Sequence, residues 1–382
     1  MLKKLILNII IALLIVTSIV LLIYNFALKK PATIKKKSTT ITERPTQPIT
    51  TPTVISKLTA ITDKAVFWPV FDSDTNKILY FYSNGNLFSS DLDGKNIKKI
   101  SSLILNNLVK VIWAPASKDK IIAVFNENGV NKKYLYNYQT GISIPLNDNI
   151  LWANWSPDSQ KIVYQHRDLK NDSNTISISN PDGSNWKNIF KTRLEDLVIN
   201  WPTDDKISIQ TPVSGLSQGL VYTVSPSTGD FTKVLSDFYG LNAKWSPKAD
   251  KILFSNTDNN GKKLTLSLAD NQGAAVKKLD FPTLVDKCVW SLDNKTIFCA
   301  VPDFLSTNAI WPDDYYKNKL IVSDIFYQYN TETGSKTKIF ERPARAEMNI
   351  NYDAQNLFLS AKEDYLFFTN KNDSKLYRLK LY

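Results

Sequence analysis

One histidine and two cysteines among 382 residues are too few for a His/Cys metal centre, since a zinc site takes three or four such ligands. Twelve glycines exclude a collagen-like chain, and so few cysteines exclude a disulfide-stapled mini-domain. With 43% hydrophobic and 12% aromatic residues, the chain is not wholly disordered. Its length suits two or three ordinary domains or one large repeat domain. The net charge of +11 is unevenly placed. Residues 1–53 hold eight Lys/Arg and one acid, Glu43, which leaves 39 basic and 35 acidic residues in the rest. A nearly balanced body lacks the concentrated positive face of a nucleic-acid binder, so no nucleic acid is expected as a partner.

Charge is missing altogether from Leu5 to Leu28. About 20 apolar residues cross a hydrocarbon core as a helix, the form in which a single segment satisfies its own backbone groups. A cleaved signal peptide has a shorter apolar core of about 7–15 residues and a small-residue cleavage site. This run is longer, and neither a clean A-x-A site nor a lipoprotein cysteine follows it. The expectation is a short flank at 1–4, an uncleaved transmembrane signal-anchor helix at 5–28, and a linker at 29–53. That linker is basic at first and then rich in Ser, Thr and Pro: eleven of the sixteen residues from 38 to 53 are of these types. Such a stretch cannot bury a core and reads as a stalk. A positive-inside count favours a cytoplasmic body, but long C-terminal domains translocate largely regardless of flanking charge. The stalk and the cysteine pair discussed below favour export, so an extracytoplasmic body on a single-pass membrane anchor is expected.

From Phe67 onward one pattern recurs: an aromatic or apolar anchor, a short polar turn, then an apolar strand. Trp155-Ser156-Pro157 leads to Ile162-Val163-Tyr164, and Trp245-Ser246-Pro247 leads to Ile252-Leu253-Phe254. The anchors stand at 71, 113, 155, 201, 245, 290 and 359, spaced by 42, 42, 46, 44, 45 and 69 residues. A period of about 40–45 residues with β-rich content is that of four-stranded propeller blades. Most units continue through a third strand, a glycine turn such as Asp182-Gly183 or Thr228-Gly229, and a fourth strand. The seventh unit stops after Leu376–Leu379, while Val54–Leu58 precedes the first anchor and reads as an unclaimed fourth strand. The fold expected for 54–382 is therefore an all-β, seven-bladed propeller of four-stranded blades, its ring closed by an N-terminal strand.

The Trp-Ser-Pro turns at 155–157 and 245–247, with the Asp-Gly hairpins, resemble the WD40-like (TolB-type) β-propeller repeats of bacterial envelope proteins. The resemblance covers roughly 54–382 and implies the fold more firmly than any function. The chain is expected to differ from TolB itself, with an anchor segment rather than an α/β domain read ahead of the propeller, so that protein's partnerships are not expected to carry over.

Several residues invite a chemical reading. Gly215-Leu216-Ser217-Gln218-Gly219 matches G-x-S-x-G, but a strand follows it and no histidine lies downstream, so a loop is expected. His166 stands without an evident catalytic partner. Asp72-Ser73-Asp74 begins like a calcium loop, yet Lys77 and Ser83 occupy the places of the required Gly and Glu. No catalytic, cofactor or metal residues are assigned. Cys288 and Cys299 fall on adjacent strands of the sixth unit; they form either a cross-strand disulfide or two buried small apolar groups. The 69-residue spacing marks an insertion in that unit, 301–319. Its Phe304, Trp311, Tyr315 and Tyr316, beside Asp303, Asp313 and Asp314, are expected as exposed binding residues at one mouth of the channel, near 165–174, 211–219 and 256–262. The function expected is a monomeric, non-catalytic module at the cell envelope that binds or scaffolds a protein or polymer on that face. The alternative is a propeller enzyme of glycosidase, lyase or cyclotransferase type using channel carboxylates.

Overall fold

The computed structural model describes residues 57–101, 104–171, 173–342 and 351–382, all within the compact unit Ile55–Tyr382. The segments 1–4, 5–28 and 29–53, and the first residues of the expected closing strand, lie outside the described residues. Among the described residues no helix is long and apolar enough to cross a membrane.

Among the described residues, twenty-seven antiparallel strands form five four-stranded sheets and one seven-stranded sheet. The first three sheets in chain order are β2 (Phe67–Asp72) to β5 (Lys98–Lys99), β6 (Leu108–Trp113) to β9 (Ile142–Pro145), and β10 (Ile150–Trp155) to β13 (Lys187–Thr192). The seven-stranded sheet runs from β14 (Val198–Thr203) to β20 (Lys277–Lys278). It joins the fourth and fifth repeats because β17 (Phe231–Trp245) is continuous: its first half pairs with β16 (Gln218–Val224) and its second with β18 (Lys251–Thr257). The sequence suggests two strands here; register shifts at Val221 and between Tyr239 and Asn242 let one strand turn from one repeat into the next without a break. The sixth repeat holds β21 (Cys288–Trp290) to β24 (Lys336–Phe340).

The last sheet has the order β1-β27-β26-β25. Strand β1 (Leu58–Ala60), from the start of the described body, pairs with β27 (Leu376–Lys380) at its end, Leu58 opposite Leu379 and Ala60 opposite Tyr377. The expected N-terminal strand is thus present, shifted toward 58–60. First strands of successive sheets touch one another: β2 meets β25 and β6, and β10 meets β6 and β14. They therefore occupy the inner side of the array.

The repeat motif has a local physical cause. Six of the seven anchors pair with the first apolar residue of the second strand: Phe71 with Ile78, Trp113 with Ile121, Trp155 with Ile162, Trp245 with Ile252, Trp290 with Ile297 and Leu359 with Leu366; Trp201 falls in a register shift instead. The following serine ties the turn. Ser156 Oγ donates to Asp158 and accepts from the Lys161 amide at 2.8 Å; Ser246 does the same with Asp250 and Lys251, and Ser360 with Asp364 and Tyr365. Second strands are buried on both faces, as in Ile78–Phe81 and Ile297–Val301, because each is sandwiched between neighbouring sheets. The core is accordingly split into clusters between consecutive repeats. One joins Ile78 and Tyr80 of the first repeat to Phe367 and Leu376 of the last. Gly273 illustrates the packing: its φ is +77°, and a Cβ there would lie 1.7 Å from the Val234 carbonyl oxygen of the preceding repeat.

Candidate functional site

The insertion leaves the end of β22 (Thr296–Pro302) and returns at β23 (Asp324–Asn330). Between them it makes one helical turn, α1 (Asp313–Tyr316), after a cis Trp311–Pro312 bond. Trp311 and Tyr315 do not stand exposed, as the sequence suggests. Trp311 is 2% exposed and packs with Leu264, Leu284, Ala309, Tyr315 and Val322 in a cluster of its own. The reason is that neighbouring loops leave room for it. A Cβ on Gly215 would sit 2.0 Å from the Trp311 carbonyl oxygen, and one on Gly261 would sit 2.6 Å from Ile310 Cγ2. The Trp311 amide donates to the Gly261 carbonyl at 2.8 Å, and Lys262 Nζ donates to the Ala309 carbonyl at 2.5 Å.

The polar groups of the insertion also point inward. Asp313 accepts from the Gly215 amide at 2.6 Å and from Ser214 Oγ at 3.1 Å. Asp314 accepts from the Ile310 amide and pairs with Lys319 at 3.0 Å; the Ile310 amide bond, then the Lys319 side chain, holds its carboxyl below the usual range. Tyr316 donates its hydroxyl to Asp286 at 2.5 Å and accepts from Asn242 at 3.0 Å; burial, then the Asp286 charge, pushes this phenol well above its ordinary value. The insertion is thus a strap that ties the loops of the fourth and fifth repeats to the sixth and seventh. Of the seven candidates, Asp313, Asp314, Trp311, Tyr315 and Tyr316 serve this strap. Phe304, 70% exposed, and Asp303 remain open to solvent, and Tyr316, though its hydroxyl is tied to Asp286, is itself 40% exposed.

Beneath the strap lies a group of residues that sequence reasoning missed. Lys287, in a 3₁₀ turn (Val285–Lys287) before β21, is fully buried. Its Nζ lies 2.7 Å from Asp324 Oδ2 and 2.8 Å from Asp353 Oδ1, and donates to the Ala354 carbonyl at 3.1 Å. Tyr315 donates to the same Asp353 oxygen at 2.6 Å, and the Val322 and Ala354 amides cap the two carboxylates. Burial alone would push the Lys287 ammonium down; Asp324, the Tyr315 hydroxyl and Asp353 together hold it above the ordinary lysine range. Burial lifts the Asp324 carboxyl to about 6, against the pull of Lys287. Removing one partner from such a buried pair costs about 3–5 kcal/mol, since an uncompensated charge stays behind. Lys371 closes the group from outside. Its Nζ lies 3.7 Å from the Tyr315 ring centroid and donates to the Tyr315 and Leu320 carbonyls. No sequence signal marks this network: its members are about 30–65 residues apart, and an isolated lysine or aspartate reads as surface.

The other motifs take structural places. Ser217 lies in an exposed turn that leads into β16, a strand rather than a helix, so the G-x-S-x-G stretch is a loop whose Gly215 makes way for the strap. His166 lies within β11 (Ile162–Asp168), opposite Thr175, rather than in a loop. Asp72 accepts from the Asp74 amide and the Thr75 hydroxyl within its own turn. Cys288 and Cys299 are direct cross-strand partners with Cα atoms 4.1 Å apart, joined as a disulfide. Lysines line the inner strands. Lys244 is half-buried and donates to the Cys288 carbonyl at 2.6 Å; Lys110 Nζ lies 3.4 Å from the Trp152 ring centroid. Burial, then Lys133, lowers the Lys110 ammonium to about 8.

No protein-family model and no curated protein matches the chain. Solved structures do. An oligogalacturonate lyase in complex with manganese is similar at TM-score 0.59 and 12% identity, over 85% of this chain and 93% of that one. The β-propeller domain of the trilobed protease from Pyrococcus furiosus, described as having an open velcro topology, is similar at 0.53 and 12%, over 83% and 95%. The tricorn protease is similar at 0.51 and 10%, over 80% of this chain; the chain spans 32% of that protein's length. These likenesses show a β-propeller fold. TolB structures also match, at TM-scores of 0.46 and 0.42, too loosely to carry weight.

Proposed function

We propose that the chain is a seven-bladed propeller closed by β1, tethered through residues 5–28 with its body outside the cytoplasm, and that it binds an envelope protein or polymer without catalysis. The observation that carries this reading is the commitment of the converging acids. Asp324 and Asp353 share Lys287, and each accepts from one backbone amide; Tyr315 bonds Asp353 as well, Asp324 Oδ1 is left unpartnered among the described residues, and both acids lie buried beneath the strap. A general acid–base pair needs a reactive group that substrate can reach. What the strapped end offers instead is a rigid surface with exposed Phe304, Leu216 and Ile321, apolar side chains suited to anchoring a partner. The disulfide suits an oxidising compartment and supports the outward orientation.

The enzyme alternative has one point in its favour, the lifted carboxyl of Asp324, since shifted acids concentrate at active sites. Its full burial weighs against it. A photo-crosslinking residue placed at 304 in cells, with the same residue at 292 as control, tests the binding reading. Leu292 is exposed in the turn between β21 and β22, at the opposite end of the strands. A discrete adduct from 304 and none from 292 is expected. Equal adducts from both sites, or none, would contradict the proposal.

A further inference from the structure

Between the second and third repeats the core stops short, and an open cleft of about 440 Å³ takes its place. The inner part of this interface is apolar: Ile162 and Tyr164 pack against Ile122 and Leu146. Further along the same face the pattern changes. In the sixth repeat the corresponding positions are Val301 and Tyr327, which pack with Phe281 and Leu279. In the third repeat they are His166 and Ser177, followed across the sheet by Thr175 and Asn188. The register places His166 opposite Thr175, Tyr164 opposite Ser177, and Ser177 opposite Asn188, so their side chains share one face. Ser177 donates to Asn188 at 2.7 Å and lies 3.3 Å from the Thr175 hydroxyl. Asn147 borders the cleft from the opposite side. Trp186 stands at its rim, 63% exposed.

The chemistry of this wall is specific. Imidazole, hydroxyl and amide groups each offer donors and acceptors without formal charge. Two carboxylates stand at the edge: Asp168 accepts at both oxygens, from the Lys170 and Asn171 amides and the Asn171 side chain, and Asp182 accepts at Oδ1 from the Ser184 amide and hydroxyl. A flat indole beside such groups matches a ligand with an apolar C–H face and a fringe of hydroxyls. The volume falls in the range of small-molecule sites, about 300–1,000 Å³. We propose that the cleft binds an uncharged oligosaccharide, with a pyranose ring stacked on Trp186 and its hydroxyls bonded to His166, Thr175 and Asn188. This site stands apart from the strapped end and holds whether or not that end binds a partner.

The test is saturation-transfer NMR on the full chain in phosphatidylcholine nanodiscs, which avoids sugar-headed detergents. Cellotriose, maltotriose and tri-N-acetylchitotriose are the probes, with spermidine and citrate as charged controls. Transfer to at least one trisaccharide at about 5 mM is expected, with roughly tenfold weaker binding in Trp186→Ala and in Asn188→Ala. Trp186 is exposed, so Trp186→Ala should melt like the parent; Asn188→Ala removes the acceptor of the buried Ser177 hydroxyl, so its binding is read only from protein shown to be folded at the assay temperature. No transfer to any of the three sugars, transfer unchanged in both variants, or Trp186-dependent binding of a charged control alone would overturn the proposal.

Discussion

Two aromatic residues seven positions apart on one insertion face opposite ways, Trp311 buried and Phe304 exposed. Trp311 fills a pocket of its own, and its loss should destabilise the fold by about 3–5 kcal/mol in denaturant melts. Phe304→Ala should change stability by less than about 0.5 kcal/mol while weakening partner capture. A stable Trp311→Ala protein would contradict the strap. Sequence shows these aromatics to be large side chains on a loop, but not which way they face, because burial here depends on Gly215 and Gly261, about 50–100 residues away. Lys110 gives a pH prediction. Its ammonium titrates near 8 in the fold and higher when unfolded, so its contribution to stability is full above the unfolded value and is lost as pH falls through about 8. Melts of the parent and of Lys110→Met at pH 7 and pH 9.5 should show the parent gaining relative to the variant at the higher pH. A constant difference would mean that Lys110 titrates normally.

The element with the greatest leverage is β1. Three residues complete the last sheet, and Leu58 is buried against Leu366, Leu379 and Phe368. Replacing 57–60 by Gly and Ser should lower the melting temperature by at least about 5 °C, because an edge of β27 is uncovered and a buried leucine lost. An unchanged melt would mean that the closing strand adds nothing. Most strands are legible in the sequence because the anchor, the serine-held turn and the apolar second strand recur together. Trp-Ser-Pro at 155 and 245 predicts both register and turn. The continuity of β17 is less legible: the sequence from 231 to 245 carries a Gly at 240 and reads as two strands, whereas bulges carry one strand through the bend.

At the scale of the whole molecule, packing proceeds from repeat to repeat, which is how one body of this size holds together without a single large core. The strap adds long-range ties across four repeats, and the Lys287 network anchors it between the sixth and the seventh. The sequence points to the repeat period and to the place of the insertion. It does not reveal the network, whose members meet only once the sheets are stacked. We propose a stable, closed propeller held outside the membrane on a cleavable stalk. The most direct measurement is protease treatment of intact cells and, in parallel, of spheroplasts, followed by detection of the propeller. The account predicts release of one stable fragment of ~37 kDa from spheroplasts, with the membrane unbroken. A chain left whole until the membrane is lysed, or a body digested to small peptides, would contradict it.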